Sequence, residues 1–201
     1  MPQYFDPVPA ATSHPRRVEL LLRDLGRTVD LATDRGVFSG DRIDPGTRVL
    51  LDHRPSAPPT GDLLDLGCGY GPLAVALALR APGARVWAVD VNERAVALCA
   101  ANAEALGLGP ARLRACTPDE VPEGLRFAAI WSNPPIRIGG TALHALLVHW
   151  LQRLDEGALA TLVVQRHLGA DSLAAWLGTQ GFAVRRLGSK QGYRLLGVAR
   201  S

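Results

Sequence analysis

Three short stretches of the chain hold residues whose types and spacing could do chemistry. The first, Asp65-Leu66-Gly67-Cys68-Gly69-Tyr70-Gly71, sets a carboxylate two residues ahead of a G-x-G-x-G run. Glycines lack Cβ, so the backbone can approach a ligand closely, and a helix starting behind them offers unpaired N–H groups. A nicotinamide site would carry G-x-G-x-x-G, whereas the third glycine here comes one position early. Asp65 would repel a pyrophosphate and attract a cation, such as the methionyl amine of S-adenosylmethionine. The second feature is Asp90 at the end of the next apolar run, where a carboxylate can accept hydrogen bonds from both hydroxyls of an adenosyl ribose. Taken alone, D-x-G-x-G also describes a simple strand-to-helix turn; Asp90 on the following strand favours a cofactor.

The third feature is Ser132-Asn133-Pro134-Pro135-Ile136. Consecutive prolines fix φ, remove two donors and keep Asn133 out of helical geometry, so the chain should leave its strand as a rigid extended loop presenting fixed acceptors. An exocyclic amine on a nucleobase is a poor nucleophile because its lone pair is delocalised into the ring. If the Asn133 side-chain oxygen and the Pro134 carbonyl each accept one of its N–H bonds, the lone pair turns toward a methyl donor. That is catalysis by positioning and preorganised dipoles, without metal or covalent intermediate.

These stretches must be held by a scaffold, and the rest of the sequence predicts one. Beyond Thr60, strands at Leu63–Leu66, Arg85–Asp90, Arg112–Cys116, Phe127–Ser132 and Ala158–Val164 alternate with helices at Gly71–Arg80, Glu93–Leu106, Thr141–Leu154 and Asp171–Leu177. Strands near Phe182–Leu187 and Tyr193–Val198 follow. Such alternation predicts an α/β fold, an open and mostly parallel sheet with helices on both faces. Ligands bind such sheets at the carboxyl ends of the strands, where all three stretches fall. Ahead of this core the pattern differs. A proline-rich arm precedes β-leaning runs at Arg17–Leu22 and Arg27–Ala32, which suggest a hairpin around Asp24-Leu25-Gly26. Asp44-Pro45-Gly46 then reads as a turn or helix start before Thr47–Asp52. The expected division is residues 1–59 for arm, hairpin and leading helix, and 60–201 for the core, within one compact domain.

Composition bounds the function classes. The chain has 201 residues, 47% hydrophobic and 20% charged, which suits one self-sufficient core. The apolar run Leu73–Leu79 is closed by Arg80, well short of the ~20 residues of a membrane span. The N-terminus has no export pattern, so a cytoplasmic protein without membrane partner is expected. Cys68, Cys99 and Cys116 are widely spaced, against both a disulfide framework and a zinc site. The net charge of +3 permits an RNA partner without demanding one.

Asp65 to Gly71, Asp90 and Asn133 to Ile136 together resemble the class I S-adenosylmethionine-dependent methyltransferases, in particular the amino-methylating group with an N/D-P-P-aromatic motif. Gly36-Val37-Phe38-Ser39, Ile43-Asp44-Pro45-Gly46-Thr47, Ser132-Asn133-Pro134-Pro135-Ile136-Arg137 and Gly192-Tyr193-Arg194-Leu195-Leu196 are similar to the branch holding bacterial small-subunit ribosomal RNA guanine-N2 methyltransferases and their single-domain relatives. The resemblance implies a Rossmann-like seven-stranded sheet with a reversed last hairpin. It also implies S-adenosylmethionine on Asp65, Gly67, Gly69 and Gly71, its ribose on Asp90, and its adenine near Asp119. Asn133 and Pro134 would be catalytic. Pro135, Ile136, Arg137, Tyr193 and Arg194 would meet the substrate, and Phe38 with Ser39 would close over the cofactor. No metal is implied.

Two departures bear on the substrate. The motif's aromatic position, which stacks on the target base, is Ile136, which leaves Tyr70 and Tyr193 as candidates. The N-terminal domain that helps two-domain members bind RNA has no counterpart in the 60 or so residues ahead of the core. The first expectation is therefore methyl transfer to guanine N2 in ribosomal RNA. Alternatives are a protein glutamine, a small-molecule amine, or a non-catalytic cofactor-binding scaffold. His144 and His149 lack the i, i+4 spacing of a metal face and read as packing or surface residues, and Asp171 reads as a helix N-cap.

Overall fold

The computed structural model describes residues 16–34 and 42–201. The proline-rich arm and Gly36-Val37-Phe38-Ser39, with the closing role expected for Phe38 and Ser39, lie outside the described residues. Strands β1 (Arg16–Leu22) and β2 (Arg27–Thr33) form the antiparallel hairpin, joined through a single 3-10 turn ending at Gly26. Helix α1 (Pro45–His53) begins at Asp44, whose carboxylate accepts the Thr47 N–H, with Pro45 at the first helical position where its missing donor costs nothing.

The main sheet follows: β3 (Asp62–Leu66), α2 (Pro72–Arg80), β4 (Arg85–Val89), α3 (Glu93–Ala105), β5 (Leu113–Cys116), β6 (Phe127–Ser132), α4 (Gly140–Leu151), β7 (Leu154–Gln165), α5 (Ala170–Thr179), β8 (Phe182–Lys190) and β9 (Tyr193–Arg200). Its strand order is β5-β4-β3-β6-β7-β9-β8. The first five strands are parallel, and β9 and β8 are antiparallel additions beside β7. This is the Rossmann-like fold expected.

Alternation along each strand divides the core. Leu63, Val86, Ala88 and Trp131 face α1, α2, α3 and the hairpin, while Leu64, Trp87, Val89 and Ile130 face α4 and α5. The hairpin's Val18, Leu20, Leu22, Val29 and Leu31 are buried in the first of these layers, so half of its surface is core. Its turn is clamped by a bidentate Arg80–Asp24 pair at 2.8 Å, and the Arg48 guanidinium donates to the Leu21 carbonyl at 2.7 Å.

Several boundaries differ from expectation, among them the ends of α5, β8 and β9, which run to Thr179, Lys190 and Arg200. Helix α4 stops at Leu151 and β7 starts at Leu154, with Gly157 at φ 74° and a register shift against β6 absorbing the charged Asp155-Glu156 stretch. The N-cap of α5 is Gly169, at φ 93°, rather than Asp171, which lies within the helix and pairs with Arg194. His144 stacks on Trp176 at 3.6 Å, tying α4 to α5.

Candidate active site

The sheet reverses its direction of growth at β3. Strands β4 and β5 extend it to one side, β6 and β7 to the other. A ligand crevice opens beyond the carboxyl ends of the strands at such a switch point. A cleft of about 250 Å³ lies there, bounded by the loop after β3, Asp90 to Asn92 after β4, Asp44 and Thr47 at the start of α1, and Asn133 to Arg137 after β6. Ser132 Oγ donates to the Leu66 carbonyl at 2.7 Å, locking the ends of β3 and β6 together beneath it.

The glycine loop is held from below by β4: the Gly67 and Cys68 N–H groups donate to the Val89 carbonyl at 2.8 and 3.0 Å. Asp90 accepts the Gly69 N–H at 2.9 Å on one oxygen and the Asn92 N–H at 3.0 Å on the other. Burial pushes its carboxyl above the usual range, against these main-chain bonds. Asp90 thus fixes the loop and still lines the cleft, with lone pairs left for hydroxyl donors.

Gly67, Gly69 and Asp90 are on the wall of the cleft, and Asp65 and Gly71 are not. Gly71 caps α2 at φ 95°, and a Cβ there would meet Cys99 Sγ at 2.6 Å, so its glycine serves the approach of α2 to α3. Asp65 is fully buried beneath the loop, and neither oxygen has a hydrogen-bond partner in the described structure. Burial first, and Asp90 second, push its carboxyl up to about 8, opposed by the Ala74 N–H in the first turn of α2. A cationic group bound close by would favour the ionised form of this orphaned carboxyl.

Across the cleft, Asn133 Nδ2 donates to Asp44 Oδ1 at 2.7 Å and to Thr47 Oγ1 at 3.1 Å. A carboxylate only accepts, so the amide orientation follows from its partner. Both amide hydrogens are engaged by α1, and the Asn133 side-chain oxygen is the end left for a ligand. Gly46 makes this approach possible, since a Cβ there would come within 2.9 Å of the Tyr193 ring and 3.3 Å of Asn133 Oδ1. The Pro134 carbonyl already accepts the Ile136 N–H at 2.8 Å, leaving one lone pair.

The remaining expected residues are distributed unevenly. Pro135, Ile136, Arg137 and Tyr193 line the cleft. Arg194 does not; its guanidinium holds Asp171 at 3.1 Å and Ser189 at 2.9 Å. Asp119 is exposed beyond the rim, although neighbouring Pro118 lines it. Of the two tyrosines, Tyr70 is 2% exposed with its hydroxyl donating to the Arg42 carbonyl, whereas Tyr193 is half-buried and open to the cleft. Among the described residues no cluster of His, Cys, Asp and Glu could hold a metal ion, and no helix is long and apolar enough to cross a membrane.

Residues 28–197 match the family model described as methyltransferase small domain. The chain belongs to that family. It is 32% identical to the uncharacterized protein YbxB of Bacillus subtilis over 194 residues, 96% of each chain. The ribosomal RNA small subunit methyltransferase C of Pseudomonas paraeruginosa is 36% identical over 166 residues, 75% of this chain and 49% of the relative. Among solved structures, the Thermus thermophilus 16S rRNA N2 G1207 methyltransferase, determined with AdoMet and guanosine, matches with a TM-score of 0.78 at 26% identity. That match covers 93% of this chain and 51% of the other. The chain thus spans about half the length of the rRNA methyltransferases it matches.

The geometry of this methyltransferase small domain includes residues that sequence reasoning missed. Asp44 and Thr47 stand in a matching motif, but their bonds to Asn133 cross nearly ninety residues of chain and only the fold brings them together. Val91 and Leu168 are large apolar residues 41% and 43% exposed, and both line the cleft, where flat apolar ligand surface would cover them. Asn102, buried on α3, accepts the Ala32 N–H at 2.7 Å and donates to the Ala32 and Tyr70 carbonyls at 2.8 and 2.9 Å. Its amide stitches β2 of the hairpin to the glycine loop.

Proposed function

We propose that this chain methylates the exocyclic N2 amine of a guanine in ribosomal RNA, with the RNA or a small ribosomal subunit as its partner. The observation that carries the reading is the Asn133 amide, held by its nitrogen so that its oxygen is left to accept from an amine in the cleft. The rRNA methyltransferase relatives and the match to a guanine-N2 enzyme support guanine as the acceptor.

S-adenosylmethionine is the cofactor of this methyltransferase family, and the cleft fits it. Gly67 and Gly69 would run along its methionyl part, Asp90 would accept from the ribose hydroxyls, and Val91 would lie against the adenine. Asp65 would act from beneath the loop rather than by contact, the cofactor's cationic amine favouring the ionised form of its carboxyl. When bound, the cofactor supplies an electrophilic methyl group on a sulfonium centre.

The chain's own residues handle the amine. Asn133 Oδ1 accepts one N2–H bond, and the remaining lone pair of the Pro134 carbonyl accepts the other. The nitrogen lone pair is thereby turned out of conjugation and aimed along the line of displacement. Because both acceptors are fixed beforehand, by α1 and by the Pro134–Ile136 turn, they need little reorganisation as the nitrogen becomes cationic. The extra proton then leaves to water. Tyr193 offers the open aromatic face that Ile136 lacks.

Mass spectrometry of ribosomal RNA nucleosides from cells with and without the gene tests this reading. The expected result is loss of one N2-methylguanosine when the gene is removed. An unchanged nucleoside profile, with the change found instead on a protein glutamine or a small amine, would overturn it.

A further inference from the structure

Asn133 is not the only acceptor facing the reacting amine's side of the cleft. Asp44 also stands on the wall, with Oδ1 taken up by the Thr47 N–H at 3.1 Å and Asn133 Nδ2 at 2.7 Å. Oδ2 has no partner among the described residues, although the carboxylate is only half-buried and in contact with the cleft. The amide oxygen of Asn133 and the Asp44 carboxylate, whose second oxygen is unpartnered among the described residues, are thus neighbours linked through one hydrogen bond. Gly46, which admits no Cβ between Tyr193 and these two side chains, keeps the arrangement close.

Two neighbouring acceptors, one of them charged, ask for two neighbouring donors. Guanine offers that pattern on one edge, with N1–H beside the N2 amine. Adenine sets an acceptor N1 beside its N6 amine, cytosine an acceptor N3 beside N4, and a glutamine amide an acceptor oxygen beside its nitrogen. Each of these would bring a lone pair against the Asp44 carboxylate, which costs a repulsion and leaves a polar group unpaired.

We propose that Asp44 is a specificity-determining residue that accepts the N1–H of guanine while Asn133 accepts the adjacent N2–H. This rests on the guanine-N2 reading and deepens it: the base would be chosen by a carboxylate from the first helix, outside the Asn-Pro-Pro motif. The same carboxylate is also the positioning residue for Asn133, so loss of activity on its substitution cannot by itself separate the two roles. A base analogue can. 2-Aminopurine keeps the 2-amino group but carries an unprotonated N1, turning the donor into an acceptor.

The test is a calorimetric titration of guanosine and of 2-aminopurine riboside into the protein saturated with S-adenosylhomocysteine, using wild type, Asp44→Asn and Thr47→Val. Wild type is expected to favour guanosine by roughly tenfold or more, the usual worth of a hydrogen bond to a charged group. Asp44→Asn, whose amide can donate to an unprotonated N1, should lose or invert that preference while its affinity for S-adenosylhomocysteine stays unchanged. Thr47→Val, which loosens Asn133 without touching the N1 acceptor, should weaken both nucleosides and keep their ratio. Equal weakening of both nucleosides in Asp44→Asn would overturn the specificity role and leave the guanine reading standing, as would a wild type indifferent to the two. A wild type that binds neither would overturn both together.

Discussion

Replacing Asn133 by alanine removes one of the two acceptors proposed to turn the amine's lone pair, and leaves the contacts of the glycine loop with Asp90 intact. The expected outcome is kcat lowered by roughly 10²–10³, the cost of losing one preorganised polar group at a reacting centre, with S-adenosylhomocysteine affinity nearly intact by calorimetry. Unchanged turnover would remove Asn133 from the mechanism. Asp65 gives a pH dependence of known sign. Its folded carboxyl is pushed up to about 8 from the ordinary value of 3.8, so between these limits the folded chain holds a proton that the unfolded chain has released. Stability from this group is therefore present at low pH and is lost as pH rises toward about 8. Asp65→Asn is expected to come nearest to wild type below pH 3.8 in urea unfolding and to be the more stable protein at pH 8. The gap should widen by up to about 1.4 kcal/mol per pH unit. A gap that stays constant would show the carboxylate to be ionised throughout.

Helix α2 and its glycine cap show what an element requires here. Gly71 combines φ 95° with a Cβ position 2.6 Å from Cys99 Sγ, so Gly71→Ala must both strain the backbone and push α3 away. A loss of roughly 2–4 kcal/mol is expected in denaturant unfolding, from αL strain and overpacking together. A smaller loss would mean that Cys99 turns aside freely. At this scale the sequence was most legible. Short, nearly continuous apolar runs marked β3, β4 and β6 to within a residue, because each strand is buried on both sides and reads as Leu, Val, Ala and Trp with little polar interruption. Where charge enters a strand, as at Asp155-Glu156 in β7, the run reads as a loop, and the strand continues through it only with a register shift against β6. Asp171 is a similar case, since an acid after a glycine looks like a cap until Gly169 takes that place and Arg194 takes the carboxylate. The glycine loop and Asn-Pro-Pro could be found from local spacing. The Asp44–Asn133 bond, the orphaned state of Asp65 and the Asn102 bridge could not, because each depends on groups brought together by the whole sheet.

Across the whole molecule, cofactor cleft and hairpin lie apart, and no described residue of β1 or β2 lines the cleft. They are nevertheless bound to one side chain. The Asn102 amide nitrogen is shared between the Ala32 carbonyl in the hairpin and the Tyr70 carbonyl in the glycine loop. A group shared in this way makes two equilibria reciprocal: whatever steadies the loop steadies the hairpin, and by the same free energy in reverse. Saturation with S-adenosylhomocysteine should accordingly slow hydrogen exchange at the Ala32 amide, which donates to Asn102, even though the ligand touches nothing in the hairpin. Exchange there that ignores the ligand in wild type, or slows just as much in Asn102→Ala, would break the link. With the link intact, the hairpin, by its alternation a mere cover for the core, is also an outlying sensor of whether the cleft is filled.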